Sequence, residues 1–518
     1  MNPSPSPSSS PSLSRRSALQ AAAAVAAAGA MSFASSTTAT ASTDGSEGKA
    51  APKLVTYPRP STMPTNTSFQ VKARIPDGEW QTLDIYRPQL EEINATTGSG
   101  KVYNTSMAYF DFSGSAEIEI TYLKGGTTTA RVRPVALGIT PELLGDTLRF
   151  TLDEPRDLVI QINDQTFDCL HLITNRIDHC PPAADDPDVI YFGPGVHTVT
   201  GNVLTVPSGK TVYLAGGAVL QAQVFFKNVE KAALTGHGML NAGPGGILCE
   251  GSRKIRVEDV IIMNPNGYAG TFGESENVHV KKARSFSSKG NGDGFDVFSS
   301  TGIVFDGCFM RNSDDCFAIY AHRWDYYGDT RDITIRNCTL WADVAHPINV
   351  GTHGNTDAPE VIENLVIENL DILDHREPQM GYQGCIALNP GDSNLIRSVR
   401  IEDVRIEDFR WGQVIHMRVM YNTKYNTSVG AGIEDVYVKN LSYTGTHANP
   451  SLFLGYDADH AIKNVTFENL VINGTVIADS MKKPKWYLTT DAVQWYYNEH
   501  VTNLTFLTTA EAEAAAAS

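Results

Sequence analysis

The sequence lacks the cysteine patterns of a metal or redox protein. Only 7 of its 518 residues are cysteine, and no two of these are separated by just two residues. Structural zinc sites normally use such close pairs, so we expect no metal and no cofactor. Cys169 and Cys180 are near enough along the chain to form a disulfide, whereas Cys308, Cys316 and Cys338 are expected to be buried free thiols. The odd number leaves at least one cysteine outside any intramolecular disulfide.

Positive charge is also scarce. Lys and Arg total 41 against 58 Asp and Glu, which gives a formal net charge of −17. Nucleic acids and anionic membranes repel such a chain, so neither is an expected partner. The same charge is a poor match to a polyanionic polysaccharide unless a local basic groove exists. Beyond the N-terminus no stretch is long and apolar enough to span a bilayer.

The N-terminus has the features of an export signal, predicted over residues 1–41. Ser14-Arg15-Arg16 precedes an alanine-rich run from Ala18 to Ala30, and Ala39-Thr40-Ala41 supplies a small-residue cleavage site. Twin arginines before a mildly apolar run are typical of a Tat signal, with a Sec signal as the alternative. Either route predicts secretion. Residues 42–60, rich in Ser, Thr, Gly and Pro, are predicted to be a linker.

A β-sandwich is predicted over residues 61–185. Apolar and polar residues alternate with period two in several short runs, among them 68–74, 116–122 and 158–162. This period is typical of half-buried strands. No catalytic cluster is evident in this part, so its expected role is to pack on the next domain and extend a cleft.

An internal repeat occupies residues 186–507. Short β-prone runs recur, first every 21 to 25 residues and later every 29 to 39. The eleven runs are Thr211–Leu214, Ala232–Thr235, Lys254–Val257, Asn277–Val280, Gly302–Phe305, Asp332–Ile335, Asn364–Ile367, Ser398–Ile401, Asp435–Val438, Asn464–Phe467 and Asn503–Phe506. One repeat cannot bury its own apolar face but a stack can, so we predict a right-handed parallel β-helix and an all-β fold class. Asparagines beside the turns predict side-chain ladders, and residues 508–518 are predicted to be disordered.

Three carboxylates stand out between Gly290 and Asn355: Asp293, Asp314 and Asp315. Asp314 follows Asp293 by 21 residues, with a single strand-like run between them, which is the length of one coil. Neighbouring parallel strands lie about 4.8 Å apart, so successive coils can bring these carboxylates together. Clustered carboxylates raise at least one pKa, and a separated acid and base is what inverting glycoside hydrolysis needs. The alternative is that they are turn-capping residues.

Two motifs in this stretch, DGFD at Asp293–Asp296 and SDDC at Ser313–Cys316, are similar in sequence and spacing to those of polygalacturonases. The chain resembles the polygalacturonase and dextranase superfamily of glycoside hydrolases, families 28 and 49, most sharply over some sixty residues and weakly from about Val55 to Leu441. The segment His346–Thr352 takes the place of that family's His-Gly segment. The resemblance implies that Asp314 is the general acid, that Asp293 and Asp315 activate the water, and that His346 is a catalytic helper.

One departure from the polygalacturonase pattern bears on the substrate. Polygalacturonases carry an Arg-x-Lys pair on the next coil that grips the galacturonate carboxylate, but the corresponding segment here, Cys385–Asn389, has no basic residue. The Trp341–Pro347 run and the N-terminal sandwich look more like the dextranase family, which acts on a neutral α-glucan. We therefore expect a neutral α-glycan, with a uronate polymer as the alternative if Arg323 or Arg418 supplies the missing charge.

An insertion after the paired aspartates supplies candidate sugar-binding residues. In the segment 320–327 aromatic rings alternate with charged side chains, and loops beside clefts concentrate binding residues. The candidates are Tyr320, His322, Arg323 and Trp324, together with His353 and Arg418 from later coils. The alternatives are a buried aromatic cluster for the insertion, core histidines for His346 and His353, and a salt bridge at the coil edge for Arg418. Asp296 and His237 are expected to be structural.

The sequence thus predicts a secreted, monomeric, inverting hydrolase of an α-linked polysaccharide that needs no metal. A polysaccharide lyase of the same fold would need a basic residue or calcium to neutralise a uronate. A non-catalytic carbohydrate-binding β-helix would not need the aspartates.

Overall fold

The structure, a computed structural model, describes residues 52–94 and 96–517. These residues form mostly β-strands and irregular connections, so the all-β class predicted from the sequence is confirmed. Within them the helices are α1 (Thr489–Val493), α2 (Thr509–Ala517) and a short 3₁₀ turn at Val135–Leu137. Neither α-helix has the length or the apolar sequence needed to cross a bilayer. The predicted export signal at residues 1–41 lies outside the described residues.

Two five-stranded sheets pack face to face in the first part of the described chain. Its strands are β1 (Lys53–Thr56), β2 (Phe69–Arg74), β3 (Gln81–Leu83), β4 (Gln89–Ile93), β5 (Gly100–Asn104), β6 (Ser106–Ser113), β7 (Ala116–Tyr122), β8 (Ala130–Arg133), β9 (Glu142–Leu144), β10 (Thr147–Leu152), β11 (Asp157–Ile162) and β12 (Leu170–Arg176). One sheet has the order β1-β6-β12-β11-β8 and the other β3-β2-β7-β10-β9, while β4 and β5 form a hairpin. Burial alternates along β2, where Phe69, Val71 and Ala73 enter the core. The sequence placed β1 in the linker, but β1 pairs antiparallel with β6 and so belongs to the sandwich.

The rest of the chain coils into a right-handed parallel β-helix of three sheets, which confirms the predicted architecture. Sheet 1 contains β13 (Val189–Phe192), β15 (Thr211–Leu214), β17 (Ala233–Thr235), β20 (Arg253–Glu258), β23 (Glu276–Lys281), β26 (Thr301–Asp306), β29 (Thr330–Arg336), the first parts of β32 (Val361–Asp374) and β34 (Leu395–Glu407), and then β37 (Gly432–Lys439), β41 (Ile462–Glu468) and β45 (Val501–Leu507).

Sheet 2 precedes sheet 3 in each coil. Sheet 2 contains the first parts of β14 (Gly195–Thr205) and β16 (Ala218–Lys227), then β18 (Met239–Asn241), β21 (Ile261–Met263), β24 (Arg284–Phe286), β27 (Phe309–Asn312), β30 (Thr339–Ala342), the ends of β32 and β34, β38 (Ser442–Thr444), β42 (Leu470–Ile472) and β43 (Thr475–Ile477). Sheet 3 contains the ends of β14 and β16, then β19 (Ile247–Glu250), β22 (Gly270–Gly273), β25 (Phe295–Phe298), β28 (Phe317–Tyr320), β31 (Ile348–Val350), β33 (Ile386–Leu388), β36 (Ile415–Arg418), β40 (Leu452–Leu454) and β44 (Tyr496–Tyr497). Two short strands, β35 (Gly412–Gln413) and β39 (Ala448–Asn449), pair between sheets 2 and 3.

Sheet 1 accounts for the repeat seen in the sequence. All eleven β-prone runs lie on its strands, and β13 adds one strand that the pattern missed. Near the start of successive strands, Asp435, Asn464 and Asn503 adopt left-handed φ values of 56°, 59° and 56°. Asn and Asp tolerate this conformation better than most residues. The Asn503 amide donates to Asn464 at 2.9 Å and the Asn464 amide to Asp435 at 2.8 Å, so the predicted ladder is present.

The sandwich covers the outer face of sheet 2. Tyr109 and Ile173 of the sandwich pack with Phe286, Phe309 and Trp341 of the β-helix in one buried cluster. Charged pairs reinforce this layer, because the guanidinium of Arg284 on β24 contacts the Asp157 carboxylate on β11 at 2.8 Å. Sheet 2 is therefore buried, and the edge where each coil passes from sheet 2 into sheet 3 lies beside the sandwich.

Several local expectations are settled by these contacts. Cys169 and Cys180 do not form the disulfide considered from the sequence, because Cys169 is buried with its sulfur 3.0 Å from Arg311 while Cys180 is exposed. Cys308, Cys316 and Cys338 are buried free thiols, as predicted. The tail predicted to be disordered instead forms α2, where the side chain of Glu511 accepts hydrogen bonds from the Thr508 amide and hydroxyl.

Candidate active site

The candidate catalytic residues stack on consecutive coils at the edge between sheets 2 and 3. Strand β25 pairs in parallel with β28, and β28 with β31. This register continues into the turns, because the Gly294 amide donates to the backbone carbonyl of Asp315 and the Cys316 amide to the backbone carbonyl of His346, each at 2.8 Å. Asp293, Asp315 and His346 therefore occupy equivalent positions on three neighbouring coils, about 4.8 Å apart from one to the next.

A break in strand alternation lets both adjacent aspartates reach this edge. Cys316 and Phe317, which follow them, both point into the interior core, although consecutive residues of a regular strand point to opposite faces. The irregular turn thus releases Asp314 and Asp315 from strict alternation. Asp315 is buried, Asp314 is half-buried, and the Asp315 amide donates to the Asp314 carboxylate at 3.1 Å.

Three N–H groups hold the Asp315 carboxylate. Its Oδ1 accepts from the His346 backbone amide at 3.0 Å and lies 2.7 Å from His346 Nδ1. Its Oδ2 accepts from the Asn349 amide at 2.9 Å. Because each carboxylate oxygen has two lone pairs, one lone pair of Oδ2 stays free for a water or a substrate group.

His346 is positioned to be positively charged. Its Nε2 lies 2.9 Å from the backbone carbonyl of Tyr382, which can only accept, while Nδ1 faces Asp315. Burial alone would lower the pKa of His346, but the charge and hydrogen bond of Asp315, the charge of Glu377 and the Tyr382 carbonyl together raise it, and the net shift is upward. An imidazolium with both N–H groups donating satisfies these contacts.

The remaining carboxyl groups of the cluster resist ionisation. Burial, followed by the charge of Asp315, raises the pKa of Asp314 to about 7. Burial also raises the pKa of Asp293 well above its ordinary range, with further repulsion from Asp296 and Asp314. The edge therefore combines a half-buried carboxyl whose pKa is close to neutral with a neighbouring carboxylate paired to a cation, the pairing that acid–base hydrolysis needs.

Asp296 belongs to the same cluster, although the sequence suggested a structural role. It lies on β25 opposite Ala318 of β28, and its Oδ1 is buried without a hydrogen-bond partner among the described residues. Burial and the charges of Asp315 and Asp314 raise the pKa of Asp296. An unpartnered buried carboxyl oxygen beside the three aspartates favours contact with a substrate hydroxyl.

The insertion predicted to bind sugar lies at the far end of sheet 3. Trp324 is about half exposed and stacks on Tyr268 at 6.1 Å, while the Arg323 guanidinium lies 5.0 Å above the Trp324 ring. Tyr320 is buried instead, and its hydroxyl contacts the Asn349 amide at 3.2 Å. His322 is used within the loop, with Nδ1 2.5 Å from the Tyr326 carbonyl. Arg323 and Trp324 are thus the two candidates of this segment that lie near the acidic cluster, because the charge of Arg323 acts on the pKa of Asp296 and Trp324 stacks on Tyr268.

The two candidates from later coils differ in environment. The ring of His353 meets that of Tyr320 edge-on at 5.1 Å, and burial and Arg323 lower the pKa of His353 to about 4. Arg418 is half-buried on β36 and donates to the Gly381 carbonyl at 3.0 Å, with no carboxylate partner in the described part of the chain. Beside it, the Nε2 atom of buried His416 also has no hydrogen-bond partner among the described residues.

The sequence missed three residues of this edge. Asn349 and Tyr382 hold Asp315 and His346, and Tyr268 is aligned with Asp293 one coil earlier. Asn349 could have been suspected from the sequence, because it lies next to Val350 in the segment that replaces the His-Gly motif. No sequence pattern indicated Tyr382, since it lies in a loop 36 residues after the histidine that it contacts.

Comparison with known proteins places the chain in a family of glycosidases. The family model "Glycosyl hydrolases family 28" matches residues 193–490. Among curated relatives, a probable endopolygalacturonase D of Emericella nidulans is 22% identical over 185 residues, which is 36% of this chain and 33% of that protein. A polygalacturonase of Chamaecyparis obtusa is 25% identical over 209 residues, 39% of this chain and 37% of that protein. The chain thus matches about a third of the length of these relatives.

The fold extends further than the sequence similarity. Dex49A from Penicillium minioluteum superposes with a TM-score of 0.60 over 88% of this chain and 96% of its own, at 12% identity. That coverage includes both the sandwich and the β-helix, so the two-part architecture as a whole is shared.

Proposed function

Since the chain belongs to glycosyl hydrolase family 28, in the polygalacturonase and dextranase superfamily, we propose that it hydrolyses α-glycosidic bonds in a polysaccharide with inversion of configuration. The observation that carries the proposal is the contrast between Asp314, half-buried with a pKa of about 7, and its neighbour Asp315, held by His346. One group is ready to give a proton while the other is ready to take one.

The proposed reaction uses four residues of the edge. Asp314 gives its proton to the glycosidic oxygen as the bond to the anomeric carbon breaks. A water held by the free lone pair of Asp315 and by Asp293 attacks that carbon from the opposite face, and its proton passes to Asp315. His346 acts as a positioning residue, because its positive charge and two N–H groups pair with the Asp315 carboxylate and orient it.

We propose a neutral α-glycan as the preferred substrate. Strand β33, where polygalacturonases carry their basic pair, is the buried apolar run Ile386–Leu388. A uronate at the point of cleavage would add its charge to four carboxyl groups without a cation beside them on that strand. The buried cation of the site, His346, is already paired with Asp315 and is not available to a substrate carboxylate.

A uronate polymer is the second candidate, favoured by Arg418. This arginine is half-buried without a carboxylate partner among the described residues, and His416 beside it offers an unpaired ring nitrogen. A substrate carboxylate would pair with the guanidinium, and a hydroxyl would donate to the imidazole. The names of the curated relatives point to the same class of substrate.

The test measures kcat/KM on polygalacturonate and on a panel of neutral α-glycans that includes dextran. We expect a neutral glycan to be preferred, whereas a clear advantage for polygalacturonate would select the second candidate. Proton NMR of the first-formed reducing end should show the inverted anomer. A retained anomer, or unsaturated products detected by ultraviolet absorbance, would contradict hydrolysis by inversion.

We also propose that the enzyme acts outside the cell as a monomer. The support is the export pattern of residues 1–41, with Arg15 and Arg16 ahead of the alanine-rich run. Secretion of a reporter fused to these residues, compared with the Arg15→Lys, Arg16→Lys variant, distinguishes Tat from Sec export, and sedimentation of the mature chain gives its oligomeric state.

A further inference from the structure

The edge that carries the aspartates continues past them as a row of exposed apolar side chains. Beyond Asp315 and His346, later passages from sheet 2 to sheet 3 carry Met380, Trp411 and Trp486, which are 50%, 41% and 81% exposed. Strands β28, β31, β33, β36, β40 and β44 pair in succession. The passage with Trp411 is thus about 14 Å from that with Asp315, and the passage with Trp486 about 24 Å, at the usual strand spacing.

The loop around Trp486 also differs in charge from the rest of the molecule. Lys482, Lys483 and Lys485 precede the tryptophan in a chain whose formal net charge is −17. None of the three forms a salt bridge within residues 52–94 and 96–517, and Lys483 donates to the backbone carbonyl of Asp479. Tyr487 is exposed beside Trp486 as well. The loop therefore presents aromatic rings and free N–H donors together.

We propose that Trp411 and Trp486 are platforms on which the polysaccharide chain rests as it leaves the catalytic cleft. The inference rests on the proposed function and names the part of the molecule that selects long substrates. Aromatic faces stack on the C–H faces of sugar rings, and lysine ammonium groups donate to hydroxyl or carboxylate oxygens. The occupant is a polymer because the row continues the edge of the aspartates and ends about 24 Å from it.

Exposed apolar residues can also mark contact between two copies of a protein. Here the apolar side chains follow one narrow edge and start at the acidic cluster. This arrangement fits an extended polysaccharide better than a flat protein interface. Sedimentation of the wild type and of Trp486→Ala decides between the two. If the wild type is a dimer that the substitution dissociates while glycan binding stays unchanged, the row is an interface and the inference is overturned.

Binding is measured by native gel electrophoresis with dextran or polygalacturonate in the gel, using the Asp314→Asn variant so that the probe stays intact. We expect Trp411→Ala and Trp486→Ala each to weaken retardation about fivefold, the scale of one aromatic contact. Tyr456→Ala is the matched control, because Tyr456 is 48% exposed but follows β40 at the opposite edge of sheet 3. Equal retardation of all three variants would overturn the inference.

Kinetics supply an independent readout. Loss of a binding contact far from the reacting bond raises KM and leaves kcat nearly constant. The ratio of kcat/KM on the polymer to kcat/KM on a trisaccharide should fall about fivefold in Trp486→Ala, and an unchanged ratio would contradict the proposal. If the wild type hydrolyses none of the polysaccharides tested, the proposed function fails while the gel experiment still decides the platforms. If neither probe retards the Asp314→Asn parent although the wild type hydrolyses one of them, the platforms fail and the proposed function stands.

Discussion

Charged side chains are arranged in opposite ways on sheets 1 and 3 of the same β-helix. On sheet 1, charged side chains of successive coils pair with each other, as Arg397 does with Glu363 at 2.6 Å and Lys463 with Glu434 at 3.0 Å. At the edge of sheet 3, carboxyl groups face carboxyl groups, and Asp296 keeps an oxygen without a partner among the described residues. Paired charges cost little free energy, whereas clustered carboxyl groups repel one another and occur most often at functional sites. The charges of sheet 1 thus stabilise the stack of coils, whereas those at the edge of sheet 3 mark the candidate active site.

The loss of kcat should differ most between the sheets when the proposed proton donor is removed. Asp314→Asn keeps the shape of the side chain but cannot protonate the glycosidic oxygen, so kcat should fall about 10²–10⁴-fold or more. The matched change on sheet 1 is Asp332→Asn, in the ladder beneath Asn364, and it should leave kcat within a factor of two. A folded Asp314→Asn enzyme with near wild-type turnover would contradict the assignment of the acid.

The positioning residue should give the next largest effect. His346→Gln can still donate one hydrogen bond to Asp315 but carries no charge, so we expect kcat to fall about 10²–10³-fold with a smaller change in KM. The measurement is the pH profile of kcat/KM, whose acidic limb should move to higher pH once the cation is gone. A variant with reduced activity and an unmoved profile would show that His346 only packs against its neighbours.

The pH dependence of the wild type should follow Asp314. The pKa of its carboxyl is raised to about 7, chiefly by burial, so the acid is protonated below that pH, and kcat/KM should fall about tenfold per pH unit above it. The folded state also binds this proton between about pH 4 and 7 while the unfolded chain does not, so stability should decline as pH rises through that window. Thermal unfolding across the window checks this, and the decline should be smaller in Asp314→Asn. An alkaline limb that starts below pH 6 would disagree.

The smallest effect is expected from the ladder on sheet 1. Asn464→Ala removes two side-chain hydrogen bonds and forces a Cβ-bearing residue without a polar group to keep a φ of 59°, which should cost about 1–2 kcal/mol. Asn464→Gly accepts the same φ freely and isolates the hydrogen bonds, so it should cost less. Unfolding midpoints measure both, and kcat should not change. An Asn464→Ala variant that lost activity but kept its unfolding midpoint would contradict the different roles assigned to the two sheets.

The same contrast explains what could be predicted from the sequence. Sheet 1 was predictable because its strands are longer and share a polar residue at a fixed place, as at Asn464 and Asn503. Most strands of sheets 2 and 3 have only three or four residues, too short for a period-two pattern to show. The aspartates were found from motif spacing, and the register of β25 and β28 places Asp293 and Asp315 side by side. Tyr382 was missed, since its role depends on a loop contact, and Asp296 was expected to be structural, since its place in the cluster depends only on being buried among like charges.

Because successive coils rise by the same distance, the duplication of a coil would lengthen the β-helix by one regular step. The residues proposed for catalysis span three coils, β25, β28 and β31, whereas the exposed tryptophans lie on coils further along. Duplication of one coil beyond β36 would move Trp486 outward by one strand spacing and leave Asp293, Asp315 and His346 in register. Insertion of a coil between β28 and β31 would separate the histidine from its carboxylate. A β-helix with more or fewer coils could therefore hold a different length of glycan while the residues proposed for catalysis keep their arrangement.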